Sequence, residues 1–237
     1  MSLISCTLFS LSLLFICCCT AIAAKITGRT HYLVSLYVVV LVVSGFLARK
    51  IVSVGSLELP SGTFLVASLF LITDILSEFW GKKESETAVY SGFIAYLVSW
   101  VSIEFYLSLD CVPTMTGVCS QYNEFVNLAP RIFLASIVAY VTGQYTDINL
   151  FHWVKRKTNG RELWLRNNVS TITGQIVDSF SFSFVAFIGF MDIAEIIKIS
   201  ISLSLFKTLI ALLDTPFIYA TRIIFEKIDE NKANKNS

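Results

Sequence analysis

Long apolar runs alternate with short polar connections along most of the chain. The first run covers residues 3–24, with no positive charge before it. The second starts at His31, extends to about Val52 and carries Arg49-Lys50 near its end, long side chains that can snorkel to a membrane surface. A short connection with Gly55 and Glu58 leads to Pro60. Ser61 is the expected N-cap of the next helix, which begins at Gly62-Thr63, reaches the interfacial Trp80 and stops at Gly81. A charged loop with Glu84 and Glu86 precedes a third core span, Ala88 to about Leu109, with Glu104 near one end. Pro113, Gly117 and Pro130 break the periodicity around the loop Asp110–Ala129. A short fourth span is entered near Val126 and continues from Arg131 to Gln144. The longest polar loop, Tyr145 to about Asn168, turns at Thr158-Asn159-Gly160. The fifth span runs from about Val169 to Met191; a connection at Asp192 and Glu195 leads to the sixth, about Ile196 to Ile224, where Pro216 predicts a kink.

Runs of this length and apolarity are of membrane-spanning size. The 237 residues are 55% hydrophobic and 15% charged, with a mean hydropathy of +0.70. A water-soluble domain carries about 25% charge. The expected fold is therefore all-α: a polytopic membrane protein with a six-helix transmembrane bundle plus an extra N-terminal apolar helix. Residues 1–30 form the extra segment, 31–225 the transmembrane domain and 226–237 a polar cytoplasmic tail. A net charge of +1 argues neither for nor against nucleic acid as a partner.

Basic residues set the orientation. With the N-terminal side of the six-span core inside, Lys25, Arg29, Lys82, Lys83, Lys155, Arg156, Lys157, Arg161, Arg166, Arg222, Lys227, Lys232 and Lys235 fall on the inner side. Arg49, Lys50, Arg131 and Lys198 fall outside. Both ends of the core then face the cytoplasm. Ala21-Ile22-Ala23-Ala24-Lys25 resembles a signal cleavage site, but the basic leader of a secretory signal is missing and cleavage would place Lys25 outside. A retained helix is favoured, with a cleaved signal and an extension upstream of the core as the alternatives. Cys111 and Cys119 stand eight residues apart in an outer loop, where a disulfide and two free thiols are both compatible with the spacing. Cys6, Cys17, Cys18 and Cys19 have no partner cluster at ligand spacing, so neither a metal nor a cofactor is expected.

Asp74 and Glu78 lie inside an apolar run, four residues apart and so on one helix face. A carboxylate at mid-bilayer costs roughly 2.5–3.5 kcal/mol on insertion scales, so it must face protein or a wet cavity. Gln175 and Asp178 share a face of the fifth span, after Arg166-Asn167-Asn168; Lys207 and Asp214, seven apart, share one on the sixth. Three helices can thus aim ionisable groups into one cavity. Bland readings stand beside this. Glu78 is close enough to Trp80 and Lys82 to be an interfacial charge, Asp74 and Asp178 are compatible with structural interhelix pairs, and Lys207 with Asp214 is compatible with a buried ion pair. Arg166 reads as a boundary charge. His31 and His152 lie near inner boundaries and read as non-ligands. Of the fifth span's phenylalanines, Phe182, one turn from Asp178, alone is placed to stack on a ligand.

HExxH, GxSxG and phosphate-cradling glycine loops are missing, which disfavours an enzyme. Movement or binding of a solute is the default for clustered intramembrane charge.

Three blocks carry a family resemblance. They are Pro60-Ser61-Gly62-Thr63-Phe64 with Phe70-Leu71-Ile72-Thr73-Asp74-Ile75-Leu76-Ser77-Glu78-Phe79-Trp80-Gly81-Lys82-Lys83; Phe151 to Arg156 with Gly160 to Ser179; and Lys207-Thr208-Leu209 to Asp214-Thr215-Pro216-Phe217-Ile218-Tyr219. Together, over about His31 to Ile224, they resemble the queuosine precursor transporter family within the vitamin uptake transporters. The resemblance implies import of 7-deazaguanine bases, such as preQ0, preQ1 or queuine, across a bacterial inner membrane for queuosine-tRNA salvage. It also implies a fold like the substrate-binding subunits of vitamin importers. The alternative function is such a subunit driven by a separate ATPase module. The substrate candidates are Asp74, Glu78, Asn168, Gln175, Asp178, Phe182, Lys207 and Asp214. A deazaguanine offers a ring N–H beside an exocyclic amine, which a carboxylate accepts as a bidentate pair. Asp178 or Asp74 would read that edge, Gln175 and Asn168 would assist, and Lys207 would balance charge or donate to the ring carbonyl. Proton or ion coupling is compatible with an intramembrane carboxylate.

Overall fold

A computed structural model describes residues 3–47, 50–54, 57–126, 130–212 and 214–236. Arg49, Gly55 and Ala129, used in the sequence reading, fall outside them. The chain is a helical membrane bundle. Its elements are α1 (Leu3–Thr27), α2 (His31–Leu47), β1 (Ile51–Val54), β2 (Leu57–Pro60), α3 (Thr63–Phe79), α4 (Lys82–Ser108), α5 (Thr116–Val126), α6 (Pro130–Lys157), α7 (Leu163–Phe187), α8 (Ile193–Ala211) and α9 (Thr215–Asn236).

Polarity is inverted relative to a water-soluble bundle. On α4 the exposed stripe is Tyr90, Ile94, Val98, Val101 and Phe105. On α8 Ile197, Ile201, Leu205 and Leu209 face outward, while Ser200 and Ser204 are buried. On α7 the buried face holds Arg166, Asn167, Ser170, Thr171, Gln175, Asp178, Ser179 and Ser183. Apolar stripes facing out and polar side chains facing in are what a lipid environment selects. Leu8–Thr27 and Lys82–Ser108 are long and apolar enough to cross a bilayer by composition alone. Helices α6 and α7 carry buried polar faces that lower their apparent hydropathy.

Several boundaries differ from the sequence expectation. The segment after α2 is an antiparallel hairpin, with Ile51 opposite Pro60 and Val54 opposite Leu57, rather than a plain connection. Ser61 does not cap α3: its hydroxyl donates to the Leu47 carbonyl, tying the hairpin exit to the end of α2. The charged residues Glu84 and Glu86 belong to the first turns of α4. Part of the polar segment after α4 is helical, with a 3-10 turn at Pro113–Met115 leading into α5. Cys111 and Cys119 are disulfide-bonded across it, with Cα atoms 6.4 Å apart. The supposed polar loop from Tyr145 is mostly helix, because α6 continues to Lys157. The true turn is short and uses left-handed backbone at Asn159, Gly160 and Glu162. The sixth span is two helices: α8 ends at Ala211, and α9 begins at Thr215 with Pro216 in its first turn, where a missing N–H costs nothing.

Helix α1 is packed into the bundle. Leu14, Cys17, Ala21 and Ala24 are buried in the main core with residues of α2, α3 and α9. Thr221 on α9 donates to the Cys18 sulfur, and Lys25 pairs with Asp229 at 2.8 Å. Contacts between Thr30 and Glu84, Lys82 and Asn149, Lys155 and Glu78, and Trp164 and Tyr219 gather the basic connections at one end of the molecule.

Candidate functional site

The site is built on the seam between the antiparallel helices α6 and α7. Each contributes a glycine followed four residues later by an aspartate: Gly143 and Asp147 on α6, Gly174 and Asp178 on α7. The pairs are reciprocal. A methyl on Gly143 would lie 2.7 Å from the Asp178 Cβ, and one on Gly174 would lie 3.0 Å from the Asp147 Cβ. The glycines let the backbones approach, and each aspartate is seated over the other helix's glycine. Without water to drive association in lipid, such close approach is a main source of helix–helix affinity.

On one flank of the seam, Asp178 pairs with Lys207 of α8. Both side chains are largely buried. The Gln175 side chain, one turn before Asp178, is buried with its Oε1 unbonded. Phe182, one turn beyond, is half-buried and packs edge-to-face on Phe187 at 6.3 Å. Phe206, next to Lys207, meets Phe64 of α3 edge-on at 6.1 Å.

On the other flank, three carboxyls meet: Asp74 of α3, Asp147 of α6 and Asp214 just before α9, each 0% exposed. Thr171 donates to Asp74 at 3.2 Å, and Asn167 donates to Asp214 at 3.1 Å. Thr73, Thr171 and Ser170 surround Asp147. Their hydroxyls donate elsewhere, however: Thr73 to the Phe70 carbonyl, Thr171 to Asp74 and Ser170 to the Asn167 carbonyl. Both Asp147 oxygens are left unbonded. Among the described residues no Lys or Arg pairs with any of the three.

Toward the basic end, Glu78 is held by Arg166 and by Lys155, the latter at 2.8 Å. Arg166, read as a boundary charge, lies at the basic end but does not face solvent. It is fully buried, donates to the Gly160 and Arg161 carbonyls at 3.0 and 2.9 Å, and lies 5.6 Å from the Phe151 ring centre. Breaking such a buried pair costs about 3–5 kcal/mol. The pair locks α3 to the α6–α7 turn.

Of the sequence candidates, Asp74 and Asp214 are brought together, Asp178, Lys207 and Gln175 form a second group, and Glu78 belongs to the clamp. Lys207 lies on α8, whereas Asp214 lies in the turn before α9. Asn168 is half-buried, with its Nδ2 donated to the Trp164 carbonyl and its Oδ1 accepting from Thr215; its neighbour Asn167 occupies the buried position. Asp147 was missed because it was assigned to a loop. Its available signal was the spacing Gly143–Asp147, matched by Gly174–Asp178.

A polytopic bundle with lipid-facing apolar stripes and buried, partly unpaired charge defines a protein of the membrane-transport class. The family described as "Putative vitamin uptake transporter" matches residues 60–221, and the chain belongs to it. It is 30% identical over 175 residues to the "Probable queuosine precursor transporter" of Bacillus subtilis (strain 168), covering 73% of this chain and 76% of that one. It is also 30% identical over 153 residues to the "Queuosine precursor transporter" of Escherichia coli (strain K12), covering 64% and 65% respectively. No solved structure matches the chain.

Proposed function

We propose that this protein imports 7-deazaguanine precursors of queuosine, and that the Asp178–Lys207 pair reads the base. The observation that carries this reading is a carboxylate and an ammonium side by side in the membrane interior. The guanine-like edge of a deazaguanine is their complement: the ring N–H and exocyclic amine donate to Asp178, and the ring carbonyl accepts from Lys207. The base takes over the bonds the pair makes with itself, so neither charge is stranded. A purine analogue lacking the exocyclic amine leaves carboxylate capacity unused in a dry site, which is the basis for rejecting it. Gln175 supplies a further amide, and Phe182 lies where a ring face can be covered.

The bacterial inner membrane is the proposed location, with the C-terminus cytoplasmic. The clustering of Lys25, Lys82, Lys155 and Arg166 at one end supports that orientation. Residues 31–225 carry transport in this reading, and 1–30 add a retained helix. No chemical step is assigned, and coupling to a proton gradient supplies the energy. The test is uptake of labelled preQ0 by cells unable to make queuosine and expressing this protein alone. Asp178→Asn and Lys207→Met that reach the membrane are expected to lose most uptake. Wild-type uptake by both variants overturns the assignment, and no uptake by the unaltered protein overturns the function.

A further inference from the structure

We propose that Asp74, Asp147 and Asp214 form the proton-binding site that couples import to the proton gradient, distinct from the base-reading pair one turn away along the α6–α7 seam. This inference rests on the import reading above and assigns its energy coupling to named atoms.

The case is an imbalance of donors and acceptors. Five buried oxygens are unbonded here: Asp74 Oδ1, both oxygens of Asp147, Asp214 Oδ2 and Asn167 Oδ1. Asn167 is itself fully buried, and its amide nitrogen is spent on Asp214, so its carbonyl is an acceptor at the cluster with no donor to meet it. The neighbouring hydroxyls of Thr73, Thr171 and Ser170 are already donated. What the cluster lacks is hydrogen, and carboxyls are the groups that can carry it. A proton on Asp147 supplies a donor to Asp74 or to another orphaned oxygen. One on Asp214 supplies a donor to Asn167.

The charges facing the cluster agree. Asp74 faces Asp147, Asp214 and Glu78, Asp214 faces Asp147, and Tyr37 of α2 also faces Asp147. Glu78 is already matched by Arg166 and Lys155, and Asp178 by Lys207. The three aspartates therefore have no cation partner among the described residues, and like charges held together in a protein interior oppose one another. The bound species that fits is the proton.

The link to transport is geometric. Asp147 sits against Gly174, and Asp178 sits three and four residues past Gln175 and Gly174 on the same helix. A precursor that engages Asp178 and Lys207 acts on the seam that seats Asp147. Proton and base then cross together: the base binds from outside with one proton on the cluster, and both are released inside. No covalent bond changes.

The experiment uses the full-length protein in vesicles with labelled preQ0, a neutral base. Exchange of internal for external preQ0 without a gradient reports on the import reading alone; its absence in the unaltered protein sinks that reading. With exchange present, a gradient of one pH unit, alkaline inside, supports about tenfold accumulation for one proton per base. Adding preQ0 to weakly buffered vesicles is also expected to raise the external pH in step with uptake. Exchange without gradient-driven accumulation or without the alkaline shift overturns the proton site. Asp147→Asn is expected to cut accumulation far more than exchange. Equal loss of both, or full retention of both, overturns the role of Asp147. Should that variant fail to insert, Asp214→Asn is read in its place, with the same expected split between accumulation and exchange and the same overturning outcomes.

Discussion

Replacing Gly143 with alanine puts a methyl carbon 2.7 Å from the Asp178 Cβ, 3.2 Å from the Gly174 carbonyl oxygen and 3.4 Å from the Asp178 Cα. Carbon–carbon contacts are comfortable at about 3.5–4.0 Å, so the seam must open by roughly 1 Å. None of these atoms is the far end of a flexible side chain, so the helices themselves must part. Overpacking of this kind costs about 1–3 kcal/mol, and the upper half applies because two backbone atoms are among the contacts. The same shift displaces Asp178, whose side chain is held in place by its pair with Lys207 of α8. Both stability and uptake are therefore expected to fall. Thermal unfolding of the purified protein in detergent measures the first, and uptake of labelled preQ0 measures the second. Gly117→Ala on α5 is the control, since a methyl there meets nothing within 4 Å. Alanine there is expected to be neutral or to stabilise the helix by up to about 1 kcal/mol. If Gly143→Ala unfolds and transports like the control, α6 and α7 do not meet as described and the seam cannot organise the site.

Arg166→Met leaves Glu78 with only the more exposed Lys155, and a loss of about 3 kcal/mol is expected. The double variant Arg166→Met/Glu78→Gln should recover part of that loss; thermal melts that show no recovery would mean the pair is not coupled. Ala21→Leu on α1 overfills a fully buried position and should cost about 1–3 kcal/mol in the same melts, whereas an α1 not seated against α3 and α9 would tolerate it. A membrane-impermeant maleimide is expected to label Cys111 and Cys119 on intact cells only after reduction. Labelling without reductant refutes the disulfide, and labelling only after permeabilisation refutes the outer placement of that loop.

The helices were legible because apolar runs of spanning length have few other fates. Their polar ends were not. Tyr145 to Asn149 read as the start of a loop, since polarity after an apolar run ordinarily marks the membrane boundary. That rule fails where a second helix offers a complementary polar face, and α7 offers Thr171, Gln175 and Asp178. Arg166 read as a boundary charge for the same reason: its partner Glu78 is 88 residues away, and no local pattern reports it. The hairpin at Ile51–Pro60 did leave a trace, in the β-branched Ile51, Val52 and Val54, but the expected helix was extended to about Val52. The break before α9 was foreseeable at Pro216. What it achieves was not: Asp214 falls just before α9 instead of pointing out from a continuous helix beside Lys207.

Lipid offers no hydrophobic drive to bring α6 and α7 together, so their contact rests on close backbone approach and on polar groups that cannot face the chains outside. Glycine supplies the first, and the aspartates with their threonine and asparagine neighbours supply the second. The residues that hold the seam are thus the residues available to a solute or a proton entering it. This explains the lack of a compact motif. The chemistry is spread over α3, α6, α7, α8 and the start of α9 because each helix must bury its own polar side chains against the others. It also explains why the unpaired acids sit on one flank and the ion pair on the other. Lys207 reaches Asp178 from α8, while α3 and the turn before α9 bring carboxyls and, among the described residues, no cation to Asp147. The asymmetry between two otherwise matched Gly–Asp pairs lies in what the third helix contributes, and it is the basis for proposing the base on one side and the proton on the other.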